Sequence, residues 1–182
     1  MNIIQSIDTE ILIFIHDNLT SPLMDGFMTK ITSIGNAGCI WIVIALILLL
    51  SNKYRKYGVM LLGSLLLCFL IGNLGMKPLI ARERPYNFNE AITLLIDAPT
   101  DYSFPSGHTM TSFAAATVLY YMNKKLGVAA YALASTIAFS RLYLYVHYPS
   151  DVTIGLIVGI LISNIVIKIT EVIQKDYKAK IS

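Results

Sequence analysis

Between Ser140 and Asp151 the chain reads Ser-Arg-Leu-Tyr-Leu-Tyr-Val-His-Tyr-Pro-Ser-Asp, and three of these side chains suit work on a phosphate. Arg141 offers a planar cationic fork for phosphate oxygens. His147 offers a nucleophilic or basic imidazole, and Asp151, four residues on, can hold the other ring nitrogen and fix the tautomer. Pro149 suits the first turn of a helix, which puts His147 just before that helix and Asp151 inside its first turn. Two other stretches carry related chemistry. One runs from Lys77 through Arg84-Pro85, and the other is Pro105-Ser106-Gly107-His108.

Together these residue types suit phosphoryl transfer, in which charge spreads over three oxygens and catalysis is mostly positioning and electrostatics. Lys77, Arg84 and Arg141 supply cations. The amides opening a helix at Ser106, Gly107 and His108 supply an anion-binding end, with glycine permitting close backbone approach. One histidine can attack phosphorus while the other protonates the leaving oxygen. Asp151 and Glu83 are the only acids in the three stretches, so no carboxylate cluster for a metal is expected. Each stretch alone has a plainer reading, as headgroup anchors, a helix start or an interfacial histidine. Three cations, two histidines and a carboxylate at one membrane depth are poorly explained that way, because charges there are costly.

The elements that position these groups are membrane helices. Of the 182 residues 55% are hydrophobic and only 14% charged, and mean hydropathy is +0.65; about 25% charged is usual for a soluble domain. A helix of about 20 residues crosses roughly 30 Å of hydrocarbon. Apolar runs of that kind predict five spans, at 31–51, 57–76, 105–123, 126–145 (carrying Arg141 near its far end) and 149–167. The fold class expected is all-α, a polytopic helix bundle in a single domain. Within it, residues 1–34 form interfacial amphipathic helices, 35–169 the transmembrane core and 170–182 a cytoplasmic tail. Gly35-Asn36-Ala37-Gly38 marks a break before the core, and Ser106 is expected to cap the third span. Cys39 and Cys68 lie in apolar runs without ligand spacing and read as packing residues. No basic, cleavable leader precedes the first apolar stretch, so no removed signal peptide is expected.

Loop charge sets the orientation. If the spans alternate, Lys53, Arg55, Lys56, Lys124, Lys125, Lys168, Lys175, Lys178 and Lys180 share one side, which should be cytoplasmic. The 77–103 connection and the 140–151 stretch then lie outside together, with few basic residues beyond those of the motifs.

Lys77 through Arg84-Pro85, Pro105-Ser106-Gly107-His108, and Ser140-Arg141 with His147 and Asp151 resemble the three-part signature of the type 2 phosphatidic acid phosphatase superfamily. The resemblance covers about residues 77–151 with motif order and spacing intact. It implies that His147 is the nucleophile and forms a phosphohistidine, that Asp151 orients it, and that His108 is the general acid. It further implies that Lys77, Arg84, Ser106, Gly107 and Arg141 hold the phosphate, with no metal and no cofactor. Arg82, in the variable interior of the first motif, reads as a second headgroup contact. The implied activity is hydrolysis of a lipid phosphate or diphosphate at the outer face of the cell membrane. Undecaprenyl diphosphate is the favoured substrate, with phosphatidylglycerophosphate or phosphatidate as alternatives. A non-enzymatic lipid-phosphate binder or transporter would keep the cations but have no need of both histidines and Asp151. The partners expected are a membrane lipid and the bilayer, with no nucleic acid and no obligate protein partner.

Overall fold

The computed structural model describes residues 3–89 and 92–179; Lys180 and the last residues of the expected tail lie outside them. Among these residues eight α-helices carry the fold. They are α1 (Ile3–Leu19), α2 (Pro22–Ile34), α3 (Cys39–Leu50), α4 (Arg55–Cys68), α5 (Lys77–Ile80), α6 (Gly107–Met122), α7 (Lys124–Tyr143) and α8 (Pro149–Ala179). No strand occurs among the described residues. The chain is an all-α membrane helix bundle, as its composition leads one to expect.

At the centre stands α6. Its run of small residues, Ala114 to Ala116, is fully buried, and α4, α7 and α8 all pack around it. Close approach by α8 requires glycine. A Cβ at Gly159 would lie 2.3 Å from the Met110 carbonyl oxygen, and one at Gly155 2.8 Å from that of Ser106. Small residues at such a crossing let backbones meet where lipid supplies no hydrophobic drive. Trp41 fills the other flank of α6 and donates from Nε1 to Ser112 Oγ at 2.9 Å, which satisfies its one polar atom in the apolar core.

Among the described residues three stretches are long and apolar enough to cross a bilayer: the one starting at Arg55, α7 and α8. The pair α2 and α3 makes a fourth when taken as one span bent by 44°. At 12 residues α3 would rise only about 18 Å, so the expected straight span over 31–51 is instead a broken one. Its break falls at Asn36–Gly38, where Ala37 (φ 50) and Gly38 (φ 68) are left-handed. Beyond Cys68 the α4 helix widens into a π-helix, Phe69–Met76, before α5 brings Lys77 to the site. Such widened turns gather at functional sites. At the other end α8 runs on to Ala179, so residues 170–179 are helical and mostly exposed, which suits their content of Glu, Lys and Gln.

The first helix turns Asp8, Leu12 and Ile15 inward, while Ile4, Ile7, Ile11 and Phe14 are exposed. That spacing is an apolar stripe on the outside of the protein.

Candidate active site

Helix ends and two connections assemble the site. After Tyr143 the chain leaves α7 through a turn in which Tyr145 is left-handed (φ 58), and the Val146 amide donates to the Arg141 carbonyl at 3.2 Å. This turn swings His147 inward, and Pro149 then starts α8 with Asp151 in its first turn. Lys77, Arg84, Gly107, His108, Arg141 and His147 all line one cavity of about 1050 Å³. The three motifs, separate in sequence, therefore converge.

His147 is buried. Its Nδ1 lies 3.6 Å from Asp151 Oδ2 and 3.4 Å from Ser103 Oγ, and its Nε2 lies 3.3 Å from Arg84 Nη1. Ser103 bridges the pair, because its hydroxyl donates to Asp151 Oδ2 at 2.5 Å. The same carboxylate oxygen accepts from the Tyr148 amide at 2.9 Å. Asp151 thus faces the Nδ1 side of the ring, and Nε2 is left for the cavity. Burial is the largest influence on the His147 pKa and lowers it. The Asp151 carboxylate pulls it back up, the charges of Arg84 and Arg141 add to the fall, and the result is about 3. A carboxylate neighbour alone predicts the opposite direction; desolvation of a fully enclosed ring outweighs it.

Arg84 is held on three sides. It donates to the Val146 carbonyl at 2.6 Å, to the Asp101 carbonyl at 2.8 Å and to Asp101 Oδ1 at 2.6 Å. Lys77 also bonds Asp101, through Oδ2. Arg141 donates to Thr32 Oγ1, while its Nε is buried without a hydrogen-bond partner among the described residues. Burial works to raise the Asp101 pKa, but the hydrogen bond and charge of Lys77, followed by those of Arg84, bring it down to about 2.

Two expectations are corrected. Ser106 occupies the N-cap position of α6 but makes no side-chain cap bond; its Oγ accepts from Thr109 Oγ1 at 2.9 Å instead. Ser106 is fully buried, whereas Gly107 and His108 reach the cavity wall. Arg82 is not turned toward the cavity. One terminal nitrogen donates to Asp151 Oδ1 (2.6 Å) and Ser150 Oγ (2.7 Å), the other to Asp8 Oδ2 and Gln5 Oε1 (both 2.7 Å). Its guanidinium lies 3.9 Å above the Tyr148 ring. With both terminal nitrogens engaged, the fork braces Asp151 against α1 and faces away from the cavity.

Residues 53–175 match the family pattern described as the PAP2 superfamily, two thirds of the chain. The chain belongs to the PAP2 superfamily. Over 147 residues it is 33% identical to the undecaprenyl-diphosphatase of Sulfolobus acidocaldarius, covering 80% of this chain and 70% of that one. Over 170 residues it is 29% identical to the lipid A 4'-phosphatase of Bacteroides thetaiotaomicron, covering 86% and 73%. The crystal structure of Aquifex aeolicus LpxE superposes with a TM-score of 0.80 at 28% identity, covering 92% of this chain and 99% of that one. The protein is thus a membrane-embedded PAP2 phosphatase, a hydrolase of lipid phosphates. Within the PAP2 site, Asp101, Ser103, Thr32, Asn36 and Asp8 are partners that motif spacing did not single out. Asp101 and Ser103 stand just before the second motif, and Asn36 lies in the glycine-flanked break; closeness to those features was the available signal.

Proposed function

We propose that this PAP2 phosphatase hydrolyses a polyprenyl diphosphate, undecaprenyl diphosphate being the favoured substrate, to the monophosphate and inorganic phosphate. The carrying observation is the composition of one cavity. Lys77, Arg84, Arg141, His147 and His108 line it, and so do the apolar Ile42, Leu62, Leu65, Leu66 and Phe69. Such a cavity suits a ligand with an anionic head and a hydrocarbon tail. The relative from Sulfolobus acidocaldarius favours the diphosphate among lipid substrates.

In this reading the phosphoryl oxygens meet Lys77, Arg84, the Gly107 and His108 amides and the orphaned Arg141 Nε. These groups stabilise the charge of the transferring phosphoryl group. His147 Nε2 attacks phosphorus, with Asp151 and Ser103 on the Nδ1 side fixing the tautomer. His108 protonates the departing oxygen, and water then releases phosphate from the phosphohistidine. Ser106 supports the cradle from behind. The protein forms one domain, with α1 lying in the membrane interface on its apolar stripe and the site facing outside.

A second reading, hydrolysis of a phosphate monoester, is favoured by the relative from Bacteroides thetaiotaomicron named a lipid A 4'-phosphatase. The experiment is phosphate release by the purified protein in detergent with EDTA present. The panel is undecaprenyl diphosphate, phosphatidylglycerophosphate, phosphatidate and lipid A. The proposal expects the highest kcat/KM on the diphosphate. A higher value on any monoester overturns that choice, and binding without release on all four makes the protein a binder.

A further inference from the structure

The turn joining α2 to α3 has no part in the chemistry above, yet one of its side chains reaches the site. His108 Nε2 lies 3.0 Å from Asn36 Oδ1. Both residues line the cavity. We propose that Asn36 is the positioning residue of His108, and that the proton given to the leaving oxygen travels on His108 Nδ1. The inference rests on the reading of His108 as the general acid.

An amide oxygen only accepts, so the imidazole nitrogen facing Asn36 must carry a hydrogen in both protonation states. Fixing one ring nitrogen assigns the chemistry to the other, as an orienting partner does for any catalytic histidine. The first half-reaction then balances. The His147 Nε2 lone pair forms a bond to phosphorus, and the bond from phosphorus to the leaving oxygen breaks with its electron pair on that oxygen. The Nδ1 proton passes to it. His108 is left neutral with its Nε2 proton still on Asn36. In the second half-reaction a water oxygen bonds phosphorus, the bond from phosphorus to His147 Nε2 breaks with its electron pair returning to that nitrogen, and a proton of the water passes to His108 Nδ1.

The backbone around Asn36 is shaped for this contact. Ala37 (φ 50) and Gly38 (φ 68) are left-handed in succession, and a residue carrying a Cβ seldom adopts that conformation. Immediately before Asn36 comes Gly35, where a Cβ would stand 2.9 Å from His108 Cδ2 and 3.0 Å from Ile137 Cγ2. The backbone of Gly35 therefore closes on the edge of the imidazole while the next side chain takes its Nε2. The bend that interrupts the first span is fitted to His108 on two sides. Strained backbone of this sort is found where structure serves a site.

The test uses leaving-group basicity. A phosphate monoester expels an alkoxide, roughly as basic as hydroxide, whose conjugate acid has a pKa of about 15.7. A lipid diphosphate expels a lipid monophosphate with a second pKa near 6. General acid catalysis, commonly worth about 10² to 10⁴, matters mainly for the first. Phosphatidate and a polyprenyl diphosphate are assayed side by side for wild type, Asn36→Ala, Asn36→Asp, His108→Ala and Asn36→Ala/His108→Ala. Because both rates come from one preparation, their ratio does not depend on the fraction folded. Asn36→Ala should lose about ten- to a hundredfold in kcat on phosphatidate and only a few-fold on the diphosphate. The double variant should be no slower on phosphatidate than His108→Ala. Asn36→Asp, which still accepts, should keep the wild-type ratio in kcat while KM rises through repulsion of the phosphate. Equal losses on both substrates in Asn36→Ala, losses that multiply in the double variant, or a ratio in Asn36→Asp as low as in Asn36→Ala each overturn the assignment. If His108→Ala itself shows no leaving-group dependence, it is the acid role of His108 that fails. That result is separate from one in which only Asn36 lacks the effect.

Discussion

Asp101 holds the cations that the proposed mechanism needs for substrate. Its carboxylate bonds Lys77 through one oxygen and Arg84 through the other, as two oxygens of a phosphate would. A lipid phosphate must then displace Asp101 or share its partners, and Asp101→Asn should make anions bind more tightly. The size of the effect follows from the carboxylate's own stabilisation. A fall from 3.8 to about 2 corresponds to about 2.4 kcal/mol before screening. The Asp101 side chain is 49% exposed, and water screens such pairs heavily, leaving about 1 kcal/mol. That is roughly fivefold in affinity. Arg84 keeps its carbonyl contacts to Asp101 and Val146 in the variant, so it stays in place. The assay is inhibition by orthovanadate at fixed diphosphate substrate with EDTA present, and the inhibition constant should fall about fivefold. The sign with pH is also fixed. A depressed carboxylate pKa means the ion pairs persist above the ordinary carboxylate range and fade only as pH falls through about 2. The fivefold gap should accordingly be constant from about pH 5 to 9. Unchanged or weaker vanadate inhibition in Asp101→Asn refutes the reasoning and makes Asp101 a brace for Lys77.

Four further outcomes are expected. His147→Ala should abolish turnover and prevent ³²P labelling of the protein by substrate; retained labelling would place the covalent bond elsewhere. With the His147 pKa near 3, the imidazole is already neutral at pH 5. The kcat/KM profile of the free enzyme should therefore show no acid limb from His147 near its usual value of about 6.5; a limb there that moves in Asp151→Asn would contradict this. Arg82→Ala should cost about 3–5 kcal/mol of stability by leaving Asp8 buried without its cation, read as a lower melting temperature together with lower kcat. A rise in KM alone would return Arg82 to a headgroup role. Single cysteines placed in the 85–100 connection should react with an impermeant reagent outside intact cells, and cysteines at 53 or 124 should not. The opposite pattern inverts the topology.

Much of this protein can be read from its sequence because phosphate chemistry demands particular residue types at fixed spacing. Lys77, Arg84, Gly107, His108, Arg141 and His147 meet in one cavity, and apolar run lengths locate the helices that bring them there. The illegible part depends on side-chain direction in the connections. Arg82 sits two residues from Arg84, yet the two guanidinium groups diverge, one to α1 and one to the cavity, and no periodicity encodes that in a coil. Ser106 shows a cap residue whose hydroxyl is claimed by Thr109, a competition between two side chains three residues apart. Asp101 and Ser103 act from a connection without regular structure, so their partners are set by tertiary folding alone. The bend in the first span was foreshadowed by glycine, but its direction, toward His108, depends on packing against α6 and α7.

The Arg82 fork also has a consequence for the order of assembly. Asp8, in α1, accepts from the Ser150 amide at 2.9 Å and from Ser150 Oγ at 2.5 Å, across 142 residues. Between them Arg82 ties the same Asp8 to Asp151. The start of α8 is thus matched to α1. In a growing polypeptide Asp151 has no anchor on α1 until α8 has emerged. Early domains and helices fold as they are made, while contacts this distant in sequence close last. The brace behind His147 is therefore among the last contacts of the bundle to close.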